Sequence, residues 1–99
     1  MTEPFPILAD FAGMEGQRFA VAAPGLAVPV LLNLTEARAW GVPWSPEGRQ
    51  PFLLHFEGPP EPVLPQGTYR FQRPPIEVDM FTVPLGPAAG GFLYEVVFA

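Results

Sequence analysis

The sequence predicts an all-β domain, a small antiparallel six-stranded barrel or sandwich with one or two short helical turns. Ninety-nine residues are an ordinary length for one domain, so we expect a single domain over residues 1–99. Hydrophobic residues make up 48% of the chain and include nine Phe, which is too apolar for a disordered protein. Fifteen prolines and ten glycines separate short apolar runs, a pattern typical of sandwiches and barrels.

Six segments are predicted to be strands because apolar residues recur in them at every second position. The connections between most of them are short. Parallel neighbours need crossovers of about a dozen residues or more, so short connections favour an antiparallel sheet. The predicted strands are 17–23, 26–34, 52–57, 68–72, 76–83 and 92–98, the last running on to the C-terminal residue.

Two segments are predicted to be helical turns. Residues 7–14 favour one or two turns in which Ile7, Leu8 and Phe11 face inward. Residues 35–40 favour a single turn, which follows the second predicted strand.

Proline and parity predict irregularities in two of the strands. Pro29 lacks a main-chain donor, so the second strand should lie at a sheet edge or contain a bulge. In the fifth strand the apolar residues fall first at even positions, Ile76, Val78 and Met80, and then at the odd positions Phe81 and Val83. This change of face predicts a bulge or burial of both faces. Residues 41–50 are predicted to be a loop, and residues 84–91 a flexible connection.

Composition excludes several classes of function and favours contact with proteins. A net charge of −5 without any lysine argues against nucleic-acid binding, and the lack of cysteine excludes thiolate chemistry. The longest uncharged apolar stretch, 19–32, is broken by prolines, so we expect no membrane insertion. The N-terminus lacks a signal peptide's basic region, which predicts a cytoplasmic protein unless it joins an extracellular assembly. Only 15% of residues are charged, so apolar surface should be exposed for other proteins or for self-association.

The residues most capable of catalysis each stand alone. His55 is the only histidine, and we place it on the polar side of the third strand, beside Glu57 and within reach of Glu95 or Arg70. A general base at His55 is the competing reading. Ser45 lies in a turn sequence that does not resemble the nucleophile elbow of hydrolases.

Paired carboxylates give no stronger signal for an active site. Glu77 with Asp79, and Glu57 with Glu95, share strand faces, but such neighbours reach a glycosidase-like separation by strand geometry alone. A metal site needs three or four converging ligands, and one histidine without cysteine does not supply them. The sequence therefore predicts no catalytic residue, no metal site, no cofactor and no enzyme activity.

Two tryptophans are the strongest candidates for a contact site. Trp40 and Trp44 flank a Gly-Val-Pro segment outside any strand pattern, and Arg38 and Arg49 lie close to them in sequence. Exposed Trp beside Arg is typical of interface anchors. The alternative is that one or both tryptophans cap an open end of the barrel.

From the third strand onward the chain carries a spaced pattern of apolar, glycine and proline residues. Its members are Phe52, Leu54, Phe56, Gly58, Pro59, Leu64, Pro65, Gln66, Gly67, Thr68, Tyr69, Phe81, Val83, Pro84, Gly86, Tyr94, Glu95, Val97 and Phe98. In this pattern the chain resembles a bacterial family of short uncharacterised β-rich proteins. The resemblance covers about half of the chain, and weakly includes Asp10-Phe11 and Gly16-x-x-Phe19. This chain has Arg73-Pro74-Pro75 and Ile76-Glu77 where the family often has His and Leu-Gly. Members are described as domains of unknown function, and some are encoded near tail-collar-like fibre proteins, which implies a role in surface or fibre assembly.

The motif residues also have a structural interpretation. Residues 66–69, Gln66 to Tyr69 through Gly67 and Thr68, are predicted to turn into the fourth strand, where Gly67 would permit a positive φ. Tyr69 should bury its ring while its hydroxyl finds a partner. Glu95, beside Tyr94, is predicted to pair with an arginine such as Arg70.

These observations lead to two hypotheses about function. The first is a non-enzymatic structural or protein-interaction module, an accessory of a fibre, a surface appendage or a phage-tail-like assembly. The second is a small barrel that binds an apolar or glycan ligand in an internal pocket; a distant third is an enzyme that uses His55. The expected pocket lining is Tyr69, Phe71, Phe92 and Tyr94.

Overall fold

In a computed structural model that describes residues 7–43 and 50–98, six antiparallel strands close into a barrel. The strand order around the barrel is β1–β2–β3–β6–β5–β4, and β4 pairs back onto β1. This confirms the predicted all-β, six-stranded antiparallel fold. Its strands are β1 (Arg18–Ala22), β2 (Val30–Ala39), β3 (Phe52–Gly58), β4 (Gly67–Arg73), β5 (Ile76–Ala88) and β6 (Gly91–Phe98).

Alternate side chains of every strand fill the barrel with a largely aromatic core. Burial of such apolar surface is the main stabilising contribution to a domain of this size. At its centre Phe56 packs against Phe19 and Phe71, with ring centroids 5.6 and 4.9 Å away. The buried core residues are Phe11, Phe19, Val21, Val30, Leu32, Leu34, Phe52, Leu54, Phe56, Leu64, Tyr69, Phe71, Met80, Tyr94 and Val96.

The N-terminal segment packs Phe11 into this core. A 3-10 turn, Leu8–Asp10, is held by the Asp10 carboxylate, which accepts a hydrogen bond from the Ile7 amide at 2.9 Å. Phe11 is fully buried against Phe52 and Phe98, and Leu8 packs on the core. The inward direction is therefore confirmed for Leu8 and Phe11 but is wrong for Ile7, which is exposed.

The second strand begins and ends later than its sequence pattern indicates. Residues 26–29 are irregular and β2 starts after Pro29, which cannot donate to a ladder. The predicted helical turn at 35–40 is wrong because β2 continues to Ala39 through pairing with β3. Of the two alternatives expected for this strand, the sheet edge is wrong, since the barrel is closed. The strand does contain a register irregularity, but it lies between Leu34 and Glu36 and not at Pro29.

The fifth strand keeps one parity through the position where a shift was expected. Thr82 is buried in line with Met80, while Phe81 points outward and is 52% exposed. The register irregularity lies further on, between Pro84 and Gly86, where Gly86 adopts a positive φ of 148° that favours glycine. The flexible connection predicted for residues 84–91 is thus wrong, because β5 pairs with β6 as far as Ala88.

Candidate functional site

The interior of the barrel is occupied by its own side chains. Phe71 and Tyr94 are fully buried and Tyr69 nearly so, and the Phe92 and Tyr94 ring centroids are 5.5 Å apart. In the described part of the chain these residues form core where the second hypothesis expected an internal ligand pocket. The prediction that these four residues line an internal ligand pocket is therefore wrong.

Two tyrosine hydroxyls fix the loop between β3 and β4 to the barrel. Tyr94 accepts a hydrogen bond from the buried Leu64 amide at 2.9 Å, and burial raises the pKa of the Tyr94 hydroxyl above its ordinary value. Tyr69 donates to the Pro65 carbonyl at 2.5 Å. The buried Tyr69 ring with a partner for its hydroxyl is confirmed.

Two further residues of the 66–69 segment lie at the surface. Gln66 and Thr68 are exposed. Gly67 opens β4 in pairing with Thr82 and does not use the positive φ that glycine permits. The motif therefore marks where the β3–β4 loop returns to the sheet.

Replacing Tyr94 with Phe is expected to lower the free energy of unfolding by about 1–3 kcal/mol, because the buried Leu64 amide loses its acceptor. Tyr69→Phe is the matched control, with a smaller expected loss because its hydroxyl and the Pro65 carbonyl are only partly buried. Urea unfolding at neutral pH measures both. Equal losses would contradict the structural role of the Tyr94 hydroxyl.

Stability should also depend on Tyr94 at alkaline pH. The folded protein holds the phenol proton more tightly than the unfolded chain, because burial disfavours the phenolate. This stabilisation is complete below the ordinary pKa of about 10 and is lost as pH rises through the higher folded value. Tyr94→Phe should lack this alkaline component.

His55 lies between two carboxylates on the outer face of the barrel. Its Nε2 is 2.9 Å from Glu95 Oε2 and its Nδ1 is 3.3 Å from Glu36 Oε1. These contacts follow from register, since His55 is paired with Glu36 on β2 and Glu95 on β6. The expected contact with Glu95 is confirmed, and both ring nitrogens are engaged in cross-strand contacts.

Arg70 has different partners from the one expected. It donates to Asp79 Oδ1 through Nε at 2.7 Å, and to Glu77 through Nη1. Pairing of Glu95 with Arg70 is wrong because β5 separates β4 from β6. The Arg70 hydrogen bonds hold the pKa of Asp79 below its usual range.

Arg70→Gln is therefore expected to raise the pKa of Asp79 toward its ordinary value. An NMR titration of the Asp79 carboxyl measures the change, and Arg38→Gln is the control, because Arg38 contacts Glu36 instead. Because the pKa of Asp79 is lower in the folded protein, its pairing with Arg70 stabilises the fold at any pH above the ordinary Asp pKa. This stabilisation is lost as pH falls through the pKa of Asp79 in the folded protein. An unchanged Asp79 pKa in Arg70→Gln would contradict the pairing.

The tryptophan site is described only in part. Trp40 is 44% exposed, and its main chain is held by hydrogen bonds to Pro51 and from the Gln50 side chain. Arg38 contacts Glu36 at 3.1 Å. Three residues singled out from the sequence lie outside the described residues: Trp44, Ser45 and Arg49.

A groove on the barrel surface is the main feature that sequence reasoning missed. It has a volume of about 570 Å³, within the range of ligand-binding sites. One wall is the β1–β2 loop with the start of β2, and the other is the end of β3 with the loop that Tyr94 fixes. The lining residues are Arg18, Leu26, Ala27, Val28, Pro29, Val30, Leu31, Asn33, Glu57, Gly58, Pro59, Pro62 and Gly90.

The apolar part of the groove consists of exposed aliphatic side chains. Val28 is 72% exposed and Leu31 is 50% exposed, and Leu26 lies beside them in the lining. Period-two alternation had placed Leu26 and Val28 in a strand with a buried face. Pro29 was the available signal, because a strand that begins after it leaves both residues in a surface loop.

Comparisons with known proteins place the chain in a family. Residues 6–98 match a family described as a domain of unknown function, DUF6916. No curated protein and no solved structure gives a match. In the described residues no helix has the length and apolar character to cross a membrane, and no group of three or more His, Asp or Glu could hold a metal ion. The match spans nearly the whole sequence, and the chain therefore belongs to the DUF6916 family of domains of unknown function.

Proposed function

We propose that this domain is a non-enzymatic protein-interaction module whose contact site is the groove between the β1–β2 loop and the β3–β4 loop. The observation that carries the proposal is the exposure of aliphatic side chains along a groove with a fixed wall. Leu26, Val28 and Leu31 present apolar surface to solvent, and the facing loop is held by the Tyr94–Leu64 hydrogen bond. Exposed apolar surface of this kind usually marks a contact site.

The placement of the reactive side chains supports a role without catalysis. His55 contacts two carboxylates across three strands, and Arg70 bridges Glu77 and Asp79. A general base needs a free lone pair within reach of a substrate proton, and both ring nitrogens of His55 contact a carboxylate of a neighbouring strand. Their role in this proposal is to connect neighbouring strands.

The proposed biological setting is an accessory of a fibre, a surface appendage or a phage-tail-like assembly. It rests on the sequence resemblance described above. Assemblies of this kind join many small domains through surface contacts, which fits a rigid barrel with an apolar groove.

Selection of displayed random peptides on the purified domain tests the proposal. We expect enriched peptides that bind the wild-type protein and shift the amide NMR signals of residues 26–28, 30 and 31. Val28→Asp should abolish this binding, because a charge replaces an exposed apolar contact. Phe81→Asp, an exposed position outside the groove, should bind normally.

Two results would contradict the proposal. One is a selection without enrichment, and the other is enriched peptides whose binding Val28→Asp leaves unchanged. Light scattering on the same samples distinguishes a second copy as the occupant. In that case dimer formation in the wild-type protein should disappear in Val28→Asp.

A further inference from the structure

On the basis of the proposed function, we infer that the groove binds an extended acidic segment of a partner protein, whose main chain pairs with Leu31 and whose carboxylate pairs with Arg18. The occupant adds a short strand beside Leu31 at the start of β2. The mode is strand addition, in which main-chain hydrogen bonds provide affinity and side-chain contacts provide specificity.

The direction of the Leu31 main-chain groups follows from the ladder. Leu34 donates to the Gln17 carbonyl at 2.9 Å and accepts from the Gly16 amide at 2.7 Å, so its main-chain groups point toward β1. These directions alternate along an antiparallel strand, so the amide and carbonyl of Leu31 point away from β1, toward β3. The Leu31 oxygen accordingly lies 3.9 Å from the position of a Cβ built on Gly58.

A proline ends the ladder on that side. Pairing of β2 with β3 starts at Asn33 and Glu57, and continuing the register would place Pro59 opposite Leu31. Proline has no amide hydrogen to donate, and within residues 7–43 and 50–98 no main-chain hydrogen bond joins Leu31 to Pro59. The Leu31 main chain therefore opens onto the groove that it lines.

The positive charge of Arg18 favours an acidic occupant. Arg38 and Arg70 have carboxylate partners within 4 Å, whereas Arg18 and Arg73 have none among the described residues. Arg73 lies next to Arg18 in the barrel, because its Nη1 donates to the Arg18 main-chain carbonyl at 3.3 Å. Arg18 lines the groove and is diagonal to Leu31 across the β1–β2 pair, where a long side chain can reach the occupant.

Glu57 defines the orientation of the occupant. It lines the groove on the β3 side, and Asn33 lies between it and Arg18 in the register. A carboxylate of the bound segment is attracted to the Arg18 side and repelled from the Glu57 side. Paired attraction and repulsion of this kind select one register over the others.

The lining also distinguishes an extended segment from other ligands. No aromatic residue lines the groove in the part of the chain that the structure describes. Proline-rich peptides in the polyproline II conformation dock on aromatic-lined grooves, so this groove is not of the kind that binds them. An extended peptide with apolar residues at every second position needs aliphatic side chains to contact and an unpaired main-chain amide and carbonyl, such as those of Leu31.

A charge-swap selection with displayed random peptides tests the inference. On the wild-type domain we expect enriched sequences that alternate aliphatic residues and carry Asp or Glu. On Arg18→Glu the same library should enrich Lys or Arg at that position, and the acidic peptides should bind roughly tenfold more weakly or worse, as expected for loss of a charged hydrogen bond. Thr68→Glu, which adds negative charge outside the groove, should keep the acidic preference.

Main-chain pairing is tested separately with the best acidic peptide. Methylating its amides one at a time should abolish binding at the residue opposite Leu31 and leave the positions that face solvent unaffected. Enriched peptides that bind in the groove but are basic, proline-rich or insensitive to methylation would overturn the inference and leave the proposed function standing. No enrichment, or binding that Val28→Asp leaves intact, would overturn both.

Discussion

Replacing Phe56 with Ala is expected to lower the free energy of unfolding by about 3–5 kcal/mol. Phe56 is fully buried and its ring contacts Phe19 edge-on and Phe71 at 4.9 Å between centroids. Its removal loses the transfer free energy of the ring and leaves a cavity that rigid strands cannot close. A domain of this length should lose roughly 12 °C or more in melting temperature.

Phe81→Ala is the matched control, because the same substitution is made on the outer face of β5. Phe81 is 52% exposed, so we expect a loss of under about 1 kcal/mol. If Phe56→Ala does not fold, Phe56→Leu should fold with a smaller loss. Equal losses for Phe56→Ala and Phe81→Ala would contradict the assignment of inner and outer faces.

Gly91→Ala is expected to be the most damaging small substitution, with a loss of about 1–3 kcal/mol or more. A methyl group at Gly91 would overlap the carbonyl of Gly58. The obstacle is main chain in the β3–β6 ladder, so relief requires the two strands to separate. Urea unfolding gives the loss, and the amide NMR signals of Gly58 and Phe92, which are paired in the register, should shift.

Gly90→Ala separates this steric effect from a general cost of losing glycine in the hairpin. A methyl group there meets only the carboxylate end of the Glu57 side chain, which can rotate away. We expect Gly90→Ala to be close to neutral. A loss as large as that of Gly91→Ala would show that the hairpin conformation, and not the Gly58 contact, requires glycine.

Secondary structure was predicted correctly from the sequence in some elements and not in others, for physical reasons that three segments illustrate. Phe52, Leu54 and Phe56 alternate with Leu53, His55 and Glu57, and a repeat of large apolar residues at every second position predicts such a strand without further information. Residues 35–40 have local helical preference, yet pairing with β3 outweighs it. Parity placed Phe81 inside, but the buried position belongs to Thr82, whose hydroxyl is satisfied by the Met80 carbonyl at 3.1 Å.

The candidate groove also depends on the pairing of strands in the tertiary structure. Its polar residues, Arg18, Asn33 and Glu57, come from three strands and meet only because of the register across β1, β2 and β3. Its apolar residues Leu26 and Val28 had the alternation of a strand with one buried face, so the sequence did not predict a surface loop there. A site formed by strand pairing leaves no motif in the sequence, so composition could indicate a contact surface without locating it.

The sequence by itself determined the all-β class, the six strands and most of the core, because apolar alternation and proline–glycine punctuation are local properties of the chain. The tertiary structure decided barrel closure, the partners of His55 and Arg70, and the position of the groove. Each of these depends on which strands become neighbours and in what register. That choice is made by the packing of the whole core, through contacts between residues that are distant in sequence.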